Sequence, residues 1–284
     1  MLNKMVMAAV LVLGVAAHAN TSSNQSEFFF QSEAGKSEVT PRIGYKMMTI
    51  KPDGATSDTK LNGLFNTGVS YEYGINEMFA IEGALYYGSL ETDGTPKTKT
   101  NGLQDPEITL KGTSPMAWGN LRYGAMLGLG FEKRKYASAT SDGNLASGGY
   151  SLAPYIGADM NLGGGIVGAR ALYEYRMERT IDDGSGTDLK VKDGHELGLS
   201  AFYEYFFADM LIGGSINYLS ADKVKNSDTG AQEEDSHTTT GISLYTRIPM
   251  ETWALIPRLD YDFSRSHYSK YDDITLSVAA RFGF

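Results

Sequence analysis

Two side chains near the end of the chain have the types and spacing of a nucleophile and its base. His267 and Ser269 are two residues apart, and residues so spaced in an extended strand share a face, so the imidazole could take the hydroxyl proton. Such a base needs a third group to orient it. The segment 274–284 offers neither Asn nor Glu, and Asp272 and Asp273 are only loose substitutes. The constellation is therefore incomplete.

Asp235-Ser236-His237 and Asp260-Tyr261-Asp262 are two acidic pairs that resemble those with which proteases of the omptin family position a water molecule between facing strands. Asp260 and Asp262 are more simply explained as carboxylates beside Arg258. The Asp-rich segment 181–188 could bind Ca²⁺ through oxygen ligands, but its Gly and Glu are misplaced for an EF-hand, and a solvated loop is the simpler account. With four His and no Cys, a transition-metal site has little to build on. We expect no metal.

The glycine pattern of Gly163–Gly168 satisfies the G-x-G-x-x-G of a dinucleotide site. The residues that follow it, 169–174, alternate as a strand does, so no helix N-terminus is available for a pyrophosphate. We interpret the glycines as a hairpin turn and expect no cofactor. The net charge of −9 and the pI of about 5.0 argue against nucleic acid, because its binders need clustered Lys and Arg.

The chain begins like an exported protein. Lys4 precedes the apolar run 5–17, and Ala17-His18-Ala19 has the small-x-small form of a signal-peptidase site. The run is shorter than the ~20 residues of a spanning helix, so a membrane anchor is the weaker reading. We expect residues 1–19 to be a signal peptide. Charged residues interrupt every later apolar stretch, so a mature chain that enters a membrane must do so as strands.

Apolar and polar residues alternate with a period of two along most of the chain, most clearly in 61–73. There Phe65, Val69 and Tyr71 share one face, while Asn66 and Ser70 share the other. This alternation indicates strands. The same pattern recurs in the segments 39–50, 78–90, 107–111, 120–131, 151–162, 166–177, 196–206, 211–219, 240–248, 255–263 and 274–284. It is weak in 107–111.

Short and long connections alternate between these strands. The long, polar ones are 52–60, 91–104, 132–149, 178–194 and 221–237. Short turns at one rim and long loops at the other are typical of an outer-membrane barrel, with periplasmic turns and extracellular loops. The sequence predicts an all-β fold, a single antiparallel transmembrane barrel over 38–284 of about 12 strands, within a range of roughly 10 to 14. The polar segment 20–37 is a tail, or Phe28-Phe29-Phe30 docks as a short strand or plug.

The alternation also predicts which side chains line the lumen. A soluble barrel such as a lipocalin would point its apolar set inward, but here the polar set is rich in charge while the apolar set is free of it, as a lipid-facing surface requires. The predicted lumen-lining residues are Arg42, Lys46, Glu72, Glu82, Arg122, Asp159, Arg170, Glu174, Arg176, Glu196, Glu204, Arg247, Arg258, Asp260, Asp262 and Arg281.

Three motifs carry resemblances to known families. Ser277-x-Ala279-x-x-Phe282-x-Phe284 resembles the assembly signal of Gram-negative outer-membrane barrels, although that pattern usually has Gly where Ala279 stands. His267-x-Ser269 resembles the His-x-Ser of outer-membrane phospholipases and lipid A deacylases. The two acidic pairs resemble those of omptin proteases, but in the opposite chain order.

The resemblance to porin-like barrels implies a location in the cell outer membrane. We expect a narrow channel for small solutes, weakly selective because inward Arg and carboxylates nearly balance, or a structural envelope barrel. The alternatives are a hydrolase of lipid or peptide, and an adhesion or anchoring barrel whose loops do the work. The expected partners are outer-membrane lipid and lipopolysaccharide, the barrel-assembly machinery and small solutes.

Overall fold

The computed structural model describes residues 25–94, 96–227, 232–234 and 236–284, without the side chains of 232–234. The expected signal peptide, 1–19, and the start of the polar segment lie outside these ranges. No helix in the described ranges is long and apolar enough to cross a membrane.

Eighteen strands occur in the described part of the chain. In chain order they are β1 (Ser37–Pro52), β2 (Thr59–Gly74), β3 (Phe79–Thr92), β4 (Lys99–Leu103), β5 (Glu107–Met116), β6 (Gly119–Gly128), β7 (Arg134–Lys135), β8 (Ser151–Leu162), β9 (Gly165–Arg176), β10 (Arg179–Asp182), β11 (Asp188–Val191), β12 (Gly194–Phe207), β13 (Met210–Ala221), β14 (Val224–Lys225), β15 (Gln232–Glu234), β16 (His237–Pro249), β17 (Trp253–Arg265) and β18 (Tyr268–Gly283).

The long strands form one closed antiparallel barrel. β4 and β5 pair with successive parts of β3 and share one place in the wall, so the described chain has twelve wall positions. β1 pairs with both β2 and β18, and this pairing closes the barrel. Because a closed sheet leaves no edge, every wall strand has a neighbour on both sides. The predicted all-β, twelve-stranded barrel is confirmed.

Two of the differences between the structure and the sequence prediction concern the wall. Lys99–Leu103, which we expected in a loop, continues the wall as β4. The last strand begins at Tyr268 instead of residue 274, because a tight turn joins β17 to β18. His267 takes the left-handed conformation in that turn, with φ at 68°. Alternation is hard to recognise near strand ends, where loop residues are as polar as inward ones.

The outer face of the wall is apolar. Side chains such as Ile43, Ile156, Ile216 and Leu244 are 52–63% exposed although they are large and hydrophobic. They alternate with buried or half-buried residues along the same strands, as the pattern predicted. A soluble protein of this kind would present a continuous apolar belt to water, whereas a bilayer accepts it.

The two ends of the barrel differ. The short-turn rim contains Ser37, Phe284 and the turns 75–78, 117–118, 163–164, 208–209 and 250–252. At the long-loop rim, β7, β10 and β11 form a three-stranded sheet, and β14 pairs with β15. The loops there have their own apolar cluster of Ile181, Val191 and Val224. In outer-membrane barrels the short-turn rim faces the periplasm.

Candidate functional site: a plug segment inside the barrel

Residues 25–36, the plug segment, lie in the lumen. Ser37 and Phe284 exchange backbone hydrogen bonds of 2.9 Å at the short-turn rim, and just before Ser37 the chain turns into the barrel. Gly35 donates to the Gly74 carbonyl at 2.7 Å. Gly74 allows this approach, because a Cβ there would lie 1.9 Å from the Glu33 carbonyl oxygen. The sequence left open a tail or a docked segment for residues 20–37, and the described part, 25–36, is docked.

Side chains of the wall satisfy the backbone of the plug segment. The Phe28 amide donates to Glu204 Oε1 at 2.8 Å, and the Ser32 amide donates to Glu72 Oε1 at 2.6 Å. Lys111 donates to the Phe30 carbonyl at 3.3 Å. Irregular backbone inside a protein needs such partners, because an unpaired buried N–H or C=O costs free energy comparable to a lost hydrogen bond.

Three consecutive aromatic residues anchor the plug segment. Phe28 stacks on Phe202 with ring centroids 4.4 Å apart, and Phe29 meets Phe202 edge-on at 5.5 Å. Arg281 lies over the Phe30 ring at 3.5 Å. These contacts bury Phe29 and Phe202 with Ile166 in a small apolar cluster inside a lumen that is otherwise polar.

Ion pairs surround the plug segment. Arg281 binds Glu27 at 2.6 Å and approaches Glu38 at 3.4 Å. Lys111 lies 2.6 Å from a carboxylate oxygen of both Glu72 and Glu82. Each cation is thus shared between two carboxylates from different parts of the chain. Charge-assisted bonds of this kind are the stronger class of hydrogen bond.

The rest of the lumen is also built from opposite charges in contact. Arg122 binds Asp159 at 2.5 Å, and Arg258 binds Asp260 at 2.7 Å. Further from the plug segment, the described chain brings together three more pairs by side-chain contact: Lys46 with Asp273 at 2.8 Å, Arg176 with Glu196 at 2.9 Å, and Arg176 with Glu174 at 3.2 Å.

All sixteen residues that we assigned to the lumen are buried or half-buried on their strands. Arg42 lies over the Tyr86 ring at 5.9 Å, Arg170 lies over the Phe28 ring at 4.9 Å, and Arg247 donates to the Gln25 carbonyl at 3.0 Å. Asp262 is half-buried on β17. Sequence reasoning missed Glu38, Glu107, Lys111 and Asp273. Glu38 has the strand parity of Arg42, and Asp273 has that of Arg281, whereas no residue of β5, which carries Glu107 and Lys111, was assigned inward.

A cavity of about 320 Å³ lies between the plug segment and the wall. Phe28, Phe29 and Phe30 form part of its surface, and the wall contributes charged and phenolic groups such as Arg42 and Tyr155. This volume is at the lower end of the roughly 300–1,000 Å³ typical of small-molecule pockets. A peptide segment therefore occupies part of the lumen, beside the side chains of the wall.

A loop narrows the opposite end of the lumen. The segment 129–150 folds back so that Leu145 packs against Gly88 of β3, where a Cβ would lie 2.4 Å from Leu145 Cδ1. The Ser147 amide donates to Asp105 Oδ2 at 2.8 Å and fixes this loop to the wall. Ala146 beside it is buried. The two ends of the barrel are thus constricted by different parts of the chain.

Those candidate catalytic groups that the structure describes do not form a site. His267 Nε2 lies 3.1 Å from the Ser236 carbonyl, while the Ser269 hydroxyl donates to the Lys51 carbonyl at 3.2 Å. Asp260 is bound by Arg258. Asp235 lies outside the described residues. Gly163 and Gly164 have φ of 58° and 83° and form the hairpin turn that joins β8 to β9.

The Asp-rich loop is organised by its own hydroxyl and amide groups. The Ser185 hydroxyl donates to Asp183 Oδ1 at 2.7 Å, and this bond lowers the pKa of the Asp183 carboxyl. The Thr187 amide donates to the same oxygen at 3.2 Å. Across the described ranges, no group of three or more His, Asp or Glu residues is placed to hold a metal ion.

The residues of the C-terminal motif divide between the two faces of β18. Ser277 and Ala279 are buried on the inner face. Phe282 stacks near Trp253 of β17 at 5.8 Å, and Phe284 is 52% exposed beside the short-turn rim. The aromatic half of the motif therefore faces outward.

No family model matches the chain, and no curated protein matches it. Solved structures match in fold. An outer-membrane channel from Pseudomonas putida F1 has a TM-score of 0.71 at 13% identity, over 92% of this chain and 99% of that one. The translocator domain of the autotransporter NalP from Neisseria meningitidis has a TM-score of 0.58 at 11% identity, over 90% and 91%.

A third match, the transport unit of the autotransporter AIDA-I from Escherichia coli, has a TM-score of 0.52 at 12% identity, over 91% of this chain and 94% of that one. At these identities the similarity establishes the fold, which is that of outer-membrane β-barrels. These neighbours are described as a channel and as transport barrels, not as enzymes.

Proposed function

We propose that this chain is a non-enzymatic channel of the outer membrane, and that residues 25–36 close its lumen at the periplasmic rim. The apolar outer belt supports the membrane location, because a charge at bilayer mid-depth would cost about 2–4 kcal/mol and this belt presents none. The separate hydrogen bonds of His267 and Ser269 argue against a hydrolase.

One observation carries the channel proposal: the plug segment is not part of the wall. Its backbone contacts the wall backbone only around Gly74 among the described residues, and side chains make its other bonds. The segment can therefore leave without breaking any pairing between two wall strands. A barrel with a purely structural role has no need for a removable peptide beside a polar cavity.

The solute class follows from the lining. Lumen cations are mostly matched by carboxylates, so the opened path favours small polar solutes over ions of one sign. The width is also limited, because a barrel of this size lies between small barrels filled by side chains and the wide porins of about 16–18 strands.

The direct test is to delete residues 25–35 and compare conductance in planar bilayers with that of the full-length mature chain. We expect the deletion to conduct steadily and to admit small sugars in liposome swelling, while the intact chain conducts rarely. A reversible cross-link between the plug segment and the wall provides the matched control. The natural chain has no Cys, so E27C/R281C carries the only two thiols.

Joining those thiols with a short reversible cross-linker should silence the E27C/R281C channel, and reduction should restore conductance. If the barrel that lacks residues 25–35 conducts no more than the intact one, the lumen is closed by other groups and the barrel is structural. If cross-linking leaves conductance unchanged, the plug segment does not gate the channel.

A further inference from the structure

Two Lys-Val-Lys segments meet at the long-loop rim. Lys190-Val191-Lys192 ends β11, and Lys223-Val224-Lys225 includes β14. The Lys192 amide donates to the Lys225 carbonyl at 2.8 Å, and Val191 forms an antiparallel bridge with Asn226. Because side chains alternate along paired strands, this register places the two valines on one face and the four lysines on the other.

The valine face is directed towards the lumen. Val191 is 0% exposed and Val224 is 6% exposed, and they pack with Ile181 in the loop cluster. Gly194 shares the inner face of β12 with Glu196, two residues later, and a Cβ at Gly194 would lie 3.3 Å from Val224 Cγ2. The opposite face, which presents the lysines, is therefore directed away from the barrel axis.

The four residues Lys190, Lys192, Lys223 and Lys225, here called the lysine face, are all exposed. None of them forms an ion pair with any side chain that the structure describes. Of the described acids near them, Asp188 binds Lys133, and Asp193 lies 3.9 Å from His195 Nε2. Four lysines without an ion-pair partner among the described side chains thus lie on one surface of a chain whose net charge is −9.

The pairing makes this arrangement unfavourable for the isolated protein. Lys192 and Lys225 face each other across the two segments, and like charges in directly opposite positions destabilise a sheet. An anion that lies between the ammonium groups would reverse the sign of that interaction. The lysine face is therefore suited to a ligand that carries closely spaced negative charges.

The position of the lysine face relates it to the membrane surface. It lies immediately beyond the first residue of β12, Gly194, where the outward His195 ring contacts Tyr173 at 5.8 Å and Tyr175 at 5.3 Å between ring centroids. Aromatic residues of this kind mark the interface between hydrocarbon and headgroups. The lysines just above them are at the level of the outer-leaflet headgroups.

We propose that the lysine face binds the phosphate groups of lipopolysaccharide. This inference rests on the proposed outer-membrane location. Lysine is a standard phosphate-binding residue that acts as a point charge, and basic clusters beside a membrane interface bind anionic lipid headgroups. Four ammonium groups on one outward face match the two phosphates of a lipid A headgroup.

The test measures binding of diphosphoryl lipid A to the purified full-length barrel in a neutral detergent, at low salt. K192Q/K225Q should weaken binding by roughly 10- to 30-fold. K60Q/K99Q removes the same charge from exposed lysines elsewhere at the long-loop rim and should leave binding unchanged. K192R/K225R should retain it.

Heat unfolding gives an independent readout. Without lipid A, K192Q/K225Q should unfold at the same temperature as the natural chain or higher, because the like-charge pair is gone. With lipid A, the natural chain should gain more stability than K192Q/K225Q. Equal binding by both double-Gln variants, or equal loss in both, would overturn the proposal. Protection by inorganic phosphate alone would assign the lysine face to a free anion instead of lipid.

Because these measurements use detergent, they do not depend on conductance. A chain that binds lipid A but does not conduct would overturn the channel proposal alone.

Discussion

Glu27 and Arg281 form a bidentate ion pair across 254 residues of sequence: Arg281 Nη1 donates to Glu27 Oε2 at 2.9 Å and Nη2 to Oε1 at 2.6 Å. Both side chains are 9% exposed. The pair joins the plug segment to the last strand of the wall. It is therefore the contact at which plug docking can be weakened without changing strand pairing.

Removing one partner of this pair should release the plug segment. Breaking a buried ion pair costs about 3–5 kcal/mol because a charge remains unpaired, and here the loose segment can move before the barrel unfolds. We expect E27Q to increase the open fraction in planar bilayers without lowering the unfolding temperature of the barrel. The charge swap E27R/R281E should recover part of the closure. An E27Q channel that opens as rarely as the natural one would contradict this view.

The aromatic anchor should contribute as much as the ion pair. Phe29 is 8% exposed and contacts Phe28 and Phe202. Truncating a buried Phe to Ala costs about 3–5 kcal/mol, so F29A should make residues 25–36 sensitive to added protease. F131A changes a side chain that is 71% exposed and should leave protease resistance unchanged. Equal resistance of F29A and the natural chain would show that the anchor contributes little.

Once the plug segment is removed, the ion selectivity of the barrel should depend on the balance of charges that line the lumen. In the barrel that lacks residues 25–35, we expect a reversal potential near zero in a salt gradient, since carboxylates match most lumen cations. Adding E72Q/E82Q leaves Lys111 without either carboxylate and should produce anion preference. D58N, which removes a charge from the loop between β1 and β2, should not. A strong preference for anions or cations in the barrel that lacks only residues 25–35 would refute the proposal that the lumen charges are balanced.

The depth of a site on the outer face should set the cost of a charge there. Ile216, in the middle of β13, is 63% exposed, and Phe207, at the short-turn rim, is 58% exposed. I216R should destabilise the barrel in vesicles by about 2–4 kcal/mol, and F207R by at most about 1 kcal/mol. Unfolding titrations of vesicle-inserted protein measure both. Equal costs would mean that β13 does not cross the bilayer as described.

The C-terminal aromatic should matter for assembly in cells more than for stability. F284A keeps the backbone bonds between Ser37 and Phe284, so refolding of the pure chain into vesicles should be unchanged. If the barrel-assembly machinery reads the aromatic terminus, the heat-modifiable band from cells should fall for F284A. F263A removes another outward aromatic, 44% exposed, and should not reduce it. Equal bands for F284A and the natural chain would exclude Phe284 as an assembly signal.

The sequence by itself determined the wall of this protein. Side chains on a strand alternate between two environments. The types of neighbouring residues such as Val69 and Ser70 therefore indicate, without any tertiary information, which side chain faces lipid and which faces the lumen. The number of strands followed from the spacing of turns, and the even count followed from pairing short with long connections. The inward position of charged residues on those strands followed from the same parity.

Only the tertiary structure decided how those inward charges are used. Which carboxylate meets Lys111 depends on strand register and shear, which alternation does not encode, and Lys111 itself lay in the weakest predicted strand. The plug segment has no periodic pattern, because its backbone is bound by wall side chains from residues as distant as Glu204. The lysine face likewise required two loops to pair, since each Lys-Val-Lys segment alone is only a short alternation.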